Sequence, residues 1–162
     1  MYQKILGPLD GSKLSECSLE HIKAIATGCN TSEVILLYVI EEPRVSFGEY
    51  ASQQMVEEMA KQRDKERQET RKRAEDYLAR VSADLKKAGL TVKTVITQPE
   101  LARGVADAIL DYADKNKVDL IVMSTHGRAG VSRWAFGSVA DRVIRHAKVP
   151  VLAVAATGCR AK

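Results

Sequence analysis

Seven consecutive residues, Val34 to Ile40 (VILLYVI), carry no charge and no turn former. An apolar run of strand length needs cover on both faces, as a central strand has in a parallel sheet layered between helices. Asp119 to Thr125 (DLIVMST) holds a shorter apolar run, Leu120 to Met123, and further strand-like runs occupy Tyr2 to Leu9, Leu90 to Thr97 and Val151 to Ala156. Between these runs the apolar spacing is helical. Leu14 to Thr27 places Leu19, Ile22 and Ala26 on one face, with Ser12 or Ser15 as N-cap and Gly28 as the stop. Leu101 to Lys117 turns Val105, Ile109, Tyr112 and Ala113 inward. A last helix, capped by Ser138 and closed by Pro150, turns Val139, Val143, Ile144 and Ala147 inward.

Ser52 to Ala88 has no Gly or Pro, which predicts a helix of about 50 Å at ~1.5 Å per residue. Only its second half carries a core stripe, at Ala74, Tyr77, Leu78, Val81 and Leu85; its first half offers Met55, Val56 and Met59. Seven acids and eight bases between Glu57 and Arg80 make it a mixed-charge, solvated face rather than a nucleic-acid stripe.

Strands alternating with helices predict a doubly wound α/β domain over residues 1–162. It has a five-stranded parallel sheet in the order 3-2-1-4-5, helices on both faces, and the long charged helix at about 52–88. In such sheets a ligand sits beyond the carboxyl ends of the strands where the order reverses. That point lies between the first and fourth strands, at Asp10 and at Met123-Ser124.

The chain offers no membrane span and no basic leader, so the expected location is cytoplasmic. Three cysteines, Cys17, Cys29 and Cys159, show no C-x-x-C spacing and read as reduced thiols. The net charge of +4 is modest, which argues against a dedicated nucleic-acid binder. Its location is more telling: His126 to Lys148 holds Arg128, Arg133, Arg142, Arg145 and Lys148 against Asp141 alone. A local surplus of that kind favours an anionic ligand.

Met123-Ser-Thr-His-Gly127, nine further residues and Gly137-Ser138 resemble the nucleotide signature of the ATP-binding universal stress proteins. That signature is Gly, two residues, Gly, nine residues, Gly, then Ser or Thr, and Ser124 stands in the place of the first glycine. KILGPLDGS at the start, LLYVI, DLIVMSTHG and FGSVADRVIRHAKVPVLAV extend the resemblance over essentially the whole chain. It implies ATP as ligand, with or without Mg²⁺. Asp10 and the main chain of Val39 would contact the adenine, with Met123 beside it. Ser124 would lie near the ribose, and Gly127, Gly137, Ser138 and Val139 would carry the phosphates. The physics agrees, since glycines let main-chain N–H groups approach phosphates and a helix start adds its positive dipole end. Gly7 departs from the family pattern, standing where an apolar residue usually precedes the proline, and is expected to loosen the first strand near Asp10.

Other chemistries fail on particular residues. There is no G-x-x-x-x-G-K-[ST] and no G-x-G-x-x-G after the first strand, which excludes a phosphate-loop NTPase and argues against a dinucleotide oxidoreductase. His126 beside Thr125 and Ser124 has no local carboxylate to orient it, so no catalytic residue is assigned. His21 and His146 have no ligand at metal spacing, so no metal site of protein ligands is expected. Two functions remain. One is an ATP-dependent sensor or switch with at most very slow hydrolysis and an unidentified protein partner. The alternative is a dimeric interaction protein that binds no nucleotide and uses the long helix as a contact surface. The apolar last strand, Val151 to Ala156, is a sheet edge expected to pair with its copy in a homodimer.

Overall fold

Five strands, β1 (Lys4–Leu9), β2 (Glu33–Val39), β3 (Val92–Thr97), β4 (Leu120–Ser124) and β5 (Val151–Val154), pair in parallel in the order β3-β2-β1-β4-β5. The structure is a computed structural model that describes residues 1–41, 53–100, 103–125 and 136–155. Among the described residues five helices accompany the sheet: α1 (Lys13–Glu16), α2 (Ser18–Cys29), α3 (Gln53–Lys87), α4 (Val105–Lys115) and α5 (Ser138–His146).

The pleat divides the core in two. Ile5, Val34, Leu36, Tyr38 and Val122 face one layer, where Ile22 of α2 and Leu78 and Leu85 of α3 cover them. Leu6, Ile35, Leu37, Ile121 and Met123 face the other, under Ile109 of α4 and Val143 of α5. Val34 to Leu37 are each at most 1% exposed, the two-sided burial that their uninterrupted apolar character requires.

Gly7 does not loosen β1, which pairs with β2 without a break from Lys4↔Glu33 to Leu9↔Tyr38. A Cβ at Gly7 would lie 2.5 Å from Ile22 Cδ1 and 3.3 Å from Leu36 Cδ2. The missing side chain lets α2 seat directly on the central strand. On its other side β1 pairs with β4 only at Ile5↔Leu120 and Leu6↔Ile121. Pro8, which has no N–H for a ladder, follows soon after, and the two strands part toward their carboxyl ends.

Several local expectations are corrected. The first helix is broken at Cys17 into α1 and α2. Gly28 does not stop α2. The stop is Asn30 in the left-handed conformation (φ 52°), with Thr31 N donating to Ala26 O at 3.0 Å, a Schellman closure that asparagine tolerates. Gly137, not Ser138, is the N-cap of α5, because Asp141 N closes the first turn onto Gly137 O at 2.9 Å. Ile144 is exposed and Ala140 takes the inward position beside Val143. Cys17 is disulfide-bonded and Cys29 is a free thiol, so the reduced-thiol expectation does not hold at Cys17.

α3 is two different helices end to end. Its buried residues are Ala74, Leu78, Val81, Ser82 and Leu85, and nothing from Gln53 to Arg73 is buried. Met55, Val56 and Met59 are exposed. Among the described residues no helix is long and apolar enough to cross a membrane.

Candidate functional site

Where β1 and β4 part, the sheet opens into a cleft of about 750 Å³, within the range of small-molecule sites. Asp10, Val39, Met123, Ser124, Gly137, Ser138 and Val139 all line it. Gly127 lies outside the described residues. Leu37, Val105 and Ile109 supply an apolar flank from β2 and α4.

The turn after β1 is built around Asp10. Its Oδ1 accepts from Ser12 N at 2.9 Å and from Ser12 Oγ at 2.6 Å, an Asx turn that fixes the carboxylate's direction. Gly11 passes through φ 85°, a conformation glycine adopts without strain. Ser12 Oγ then accepts from Ser15 N at 3.1 Å and caps α1. A carboxylate is thereby held in a fixed direction at the switch point.

At the other side of the cleft stands the start of α5. Gly137 N donates to Thr125 O at 2.8 Å, so this glycine is not itself an anion donor. It is the close-approach point that ties α5 to the end of β4. The N–H groups of Ser138, Val139 and Ala140, in the first turn, have no partner within the helix and carry the positive end of its dipole. Asp107 links α5 to α4, with Arg142 Nη2 at 2.8 Å. A hydrogen bond from Gly104 N and then the Arg142 guanidinium hold the Asp107 carboxyl below its usual pKa.

The basic surplus near this loop is smaller than its sequence suggests. Arg142 pairs with Asp107, Arg145 with Asp141, and Lys148 with Asp114 at 2.6 Å. Two of the three acids come from α4, remote in sequence. Arg128 and Arg133 lie outside the described residues.

Sequence reasoning missed the cleft's third side. Thr70, Arg73 and Tyr77 of α3 line it, together with Tyr38 and Glu41 at the end of β2. Tyr77 meets Tyr38 edge to face, 6.1 Å between centroids, and Arg80 sits 5.2 Å over the Tyr77 ring. Arg80 Nη2 also reaches Glu16 Oε1 at 2.8 Å, clasping α3 to α1. The Tyr77 hydroxyl is buried with no hydrogen-bond partner among the described residues. The Ser15 hydroxyl, which donates to Ser12 O at 2.8 Å, lies beside it with acceptor lone pairs still available. Burial pushes the Tyr77 pKa up to about 12, so it stays neutral. The spacing 70, 73, 77 was the available signal, one helix face at three- and four-residue steps. Among the described residues no cluster of three or more His, Cys, Asp or Glu side chains is placed to hold a metal ion.

The family model "Universal stress protein family" matches residues 1–155. Universal stress protein MJ0531 of Methanocaldococcus jannaschii is 35% identical over 157 residues, covering 95% of this chain and 82% of that protein. MJ0577 of the same organism is 32% identical over 163 residues, 95% of each. The solved structure of MJ0577 superposes with a TM-score of 0.77 at 28% identity over 96% of both chains. Three more distant structures share the fold. They are a universal stress protein in complex with cAMP (TM-score 0.64, 21% identity, 96% of this chain and 98% of that one), an AMP-bound family protein of Arabidopsis thaliana (0.58, 18%, 94% and 91%), and a universal stress protein of Archaeoglobus fulgidus in complex with dAMP (0.57, 19%, 95% and 98%).

Proposed function

This chain belongs to the universal stress protein family, and from that premise we propose that it binds ATP in the switch-point cleft and acts as a nucleotide-dependent regulatory switch. The observation that carries the reading is the pairing of two unlike features in one cleft. A rigid carboxylate acceptor, Asp10, stands on one side, and the unpaired N–H groups at the start of α5 stand on the other. Adenine presents an amino donor beside ring acceptors and a phosphate chain presents only acceptors, so such a ligand matches both ends. Apolar Val39 and Met123 between them suit the faces of the base. Complexes of other family members with cAMP, AMP and dAMP support an adenine nucleotide.

Mg²⁺ would enter as the counter-ion of the triphosphate, held by phosphate oxygens and water. The reading includes at most very slow hydrolysis, because the described residues of the α5 side supply donors for an anion and no base for water. It places the protein in the cytoplasm. Mass spectrometry of the denatured, freshly purified protein is expected to release ATP or ADP, and the stripped protein to give binding heat with Mg-ATP. Nucleotide-free protein that gives no heat would overturn the reading.

A homodimer through β5 is part of the same reading. β5 is the sheet edge beside β4, and its apolar Val151, Leu152 and Ala153 are only half-buried. Pairing with a second copy would satisfy the edge and cover these side chains. Lys at both Leu152 and Val154 is expected to give monomers or insoluble protein by sedimentation, while Lys at Gln68 leaves the wild-type dimer. A stable wild-type monomer at micromolar concentration would reject this interface. One observation favours the alternative, an interaction protein without nucleotide: Met55 on the outer part of α3 is 56% exposed, and Val56 and Met59 are also exposed.

A further inference from the structure

Thr70, Arg73 and Tyr77 straddle the point at which α3 leaves the protein body. Ala74 is the first buried residue of the helix, Tyr77 is seated against Tyr38, and Arg80 fixes the next turn to Glu16. One turn earlier, at Thr70 and Arg73, no such anchor is present among the described residues. Arg73 nevertheless lines the cleft, and its hold on the rest of the protein is weak. Its Nη2 lies 3.6 Å from Glu69 Oε2, with side chains 80% and 52% exposed, an ion pair that water screens and that contributes little.

The position of α3 decides which part of a ligand Arg73 can meet. α3 packs on β2 and β3, whereas α5 packs on β5 and α4, and in the order β3-β2-β1-β4-β5 these are opposite ends of the sheet. With phosphates at the start of α5, the nucleoside end faces α3. A planar guanidinium stacks on an aromatic face, more strongly as water is excluded.

We propose that Arg73 is a ligand-binding residue for the nucleoside end of the cleft. It exchanges Glu69 for the face of the base and closes the outer side of the site. Occupancy then pins α3 one turn beyond Ala74, and the state of the cleft is transmitted to the solvent-exposed arm from Gln53 to Arg73. This rests on reading the cleft as an adenine-nucleotide site.

Titration of wild type, Arg73→Ala and Arg73→Lys with adenosine, AMP and ATP tests it, together with deuterium uptake along α3 with and without AMP. Arg73→Ala is expected to weaken all three ligands by the same factor, about 3- to 30-fold. Lysine, lacking the plane, is expected to restore little of it. AMP should slow exchange across 66–73 in wild type and not in Arg73→Ala. Equal affinities in wild type and Arg73→Ala, or a loss that grows with the number of phosphates, would overturn the assignment. Unchanged exchange across 66–73 in wild type would overturn the coupling to the arm. If wild type binds none of the three ligands, the nucleotide reading itself fails and the inference with it.

Discussion

On the α5 side, the cleft is bounded by main chain: the end of β4, Gly137 tied to Thr125 O, and the first N–H groups of a helix. On the α3 side it is bounded by the ends of side chains, Thr70, Arg73 and Tyr77, projecting from a helix whose buried residues begin at Ala74. The first kind of wall is set by glycine placement and strand pairing and tolerates many side-chain changes. The second depends on how firmly the inner half of α3 is packed. A ligand held between them would find one rigid jaw and one adjustable jaw.

The largest effect that tests this contrast is expected at Leu78, which is 1% exposed under the sheet. Leu78→Ala is expected to cost about 2–5 kcal/mol of stability in denaturant unfolding and to weaken nucleotide binding as well. Met59→Ala on the outer half should stay within about 0.5 kcal/mol of wild type. Equal costs at the two positions would mean that α3 is not divided as described.

A smaller effect is expected at Gly7, where α2 meets β1. Gly7→Ala forces Ile22 Cδ1 and Leu36 Cδ2 to give way, and overpacking of this kind costs about 1–3 kcal/mol. Thermal unfolding checks it, and a stability equal to or above wild type would show that the close seat of α2 is not needed.

The smallest effect concerns the Arg80–Glu16 clasp. Burial raises the Glu16 pKa, but hydrogen bonds from Arg80 and Lys13 outweigh it and hold the carboxyl below its ordinary 4.5. A depressed carboxyl contributes stability above the unfolded pKa and loses it as pH falls through the folded value. Glu16→Gln is therefore expected to cost about 0.2–1 kcal/mol near pH 7 and nothing once Glu16 is protonated in acid. A deficit that persists unchanged in acid would show that charge is not what holds α1 to α3.

The sheet, its order and the β1/β4 switch point were legible because two uninterrupted apolar runs admit few alternatives and the loop glycines stand at a distinctive spacing. Asp10, Val39, Met123, Ser124, Gly137, Ser138 and Val139 were named through the resemblance to the ATP-binding universal stress proteins, and each lines the cleft at a strand end or helix start. What sequence hid was long-range. Gly7 read as a weakness until Ile22 was found against it. The charge of Arg142 and Lys148 read as surplus until Asp107 and Asp114 arrived from α4. Arg73 was one of eight bases in a mixed run, marked locally by no more than its place on the helix face of Thr70 and Tyr77. The N-cap of α5 was misplaced by one residue because Ser138 has the side chain of a cap, while the closing carbonyl belongs to Gly137.

The most direct test is calorimetric titration of Mg-ATP into wild type, Gly137→Ala and Gly137→Val. A Cβ at Gly137 meets only Thr125 O, at 3.4 Å, so the alanine variant should fold, with a wild-type melting profile as its control, and should retain binding. Valine's added methyls are expected to enter the space between the end of β4 and the first α5 donors and to abolish the heat of binding while the protein stays folded. Equal heats for wild type and Gly137→Val would contradict the central claim that the phosphates lie at the start of α5.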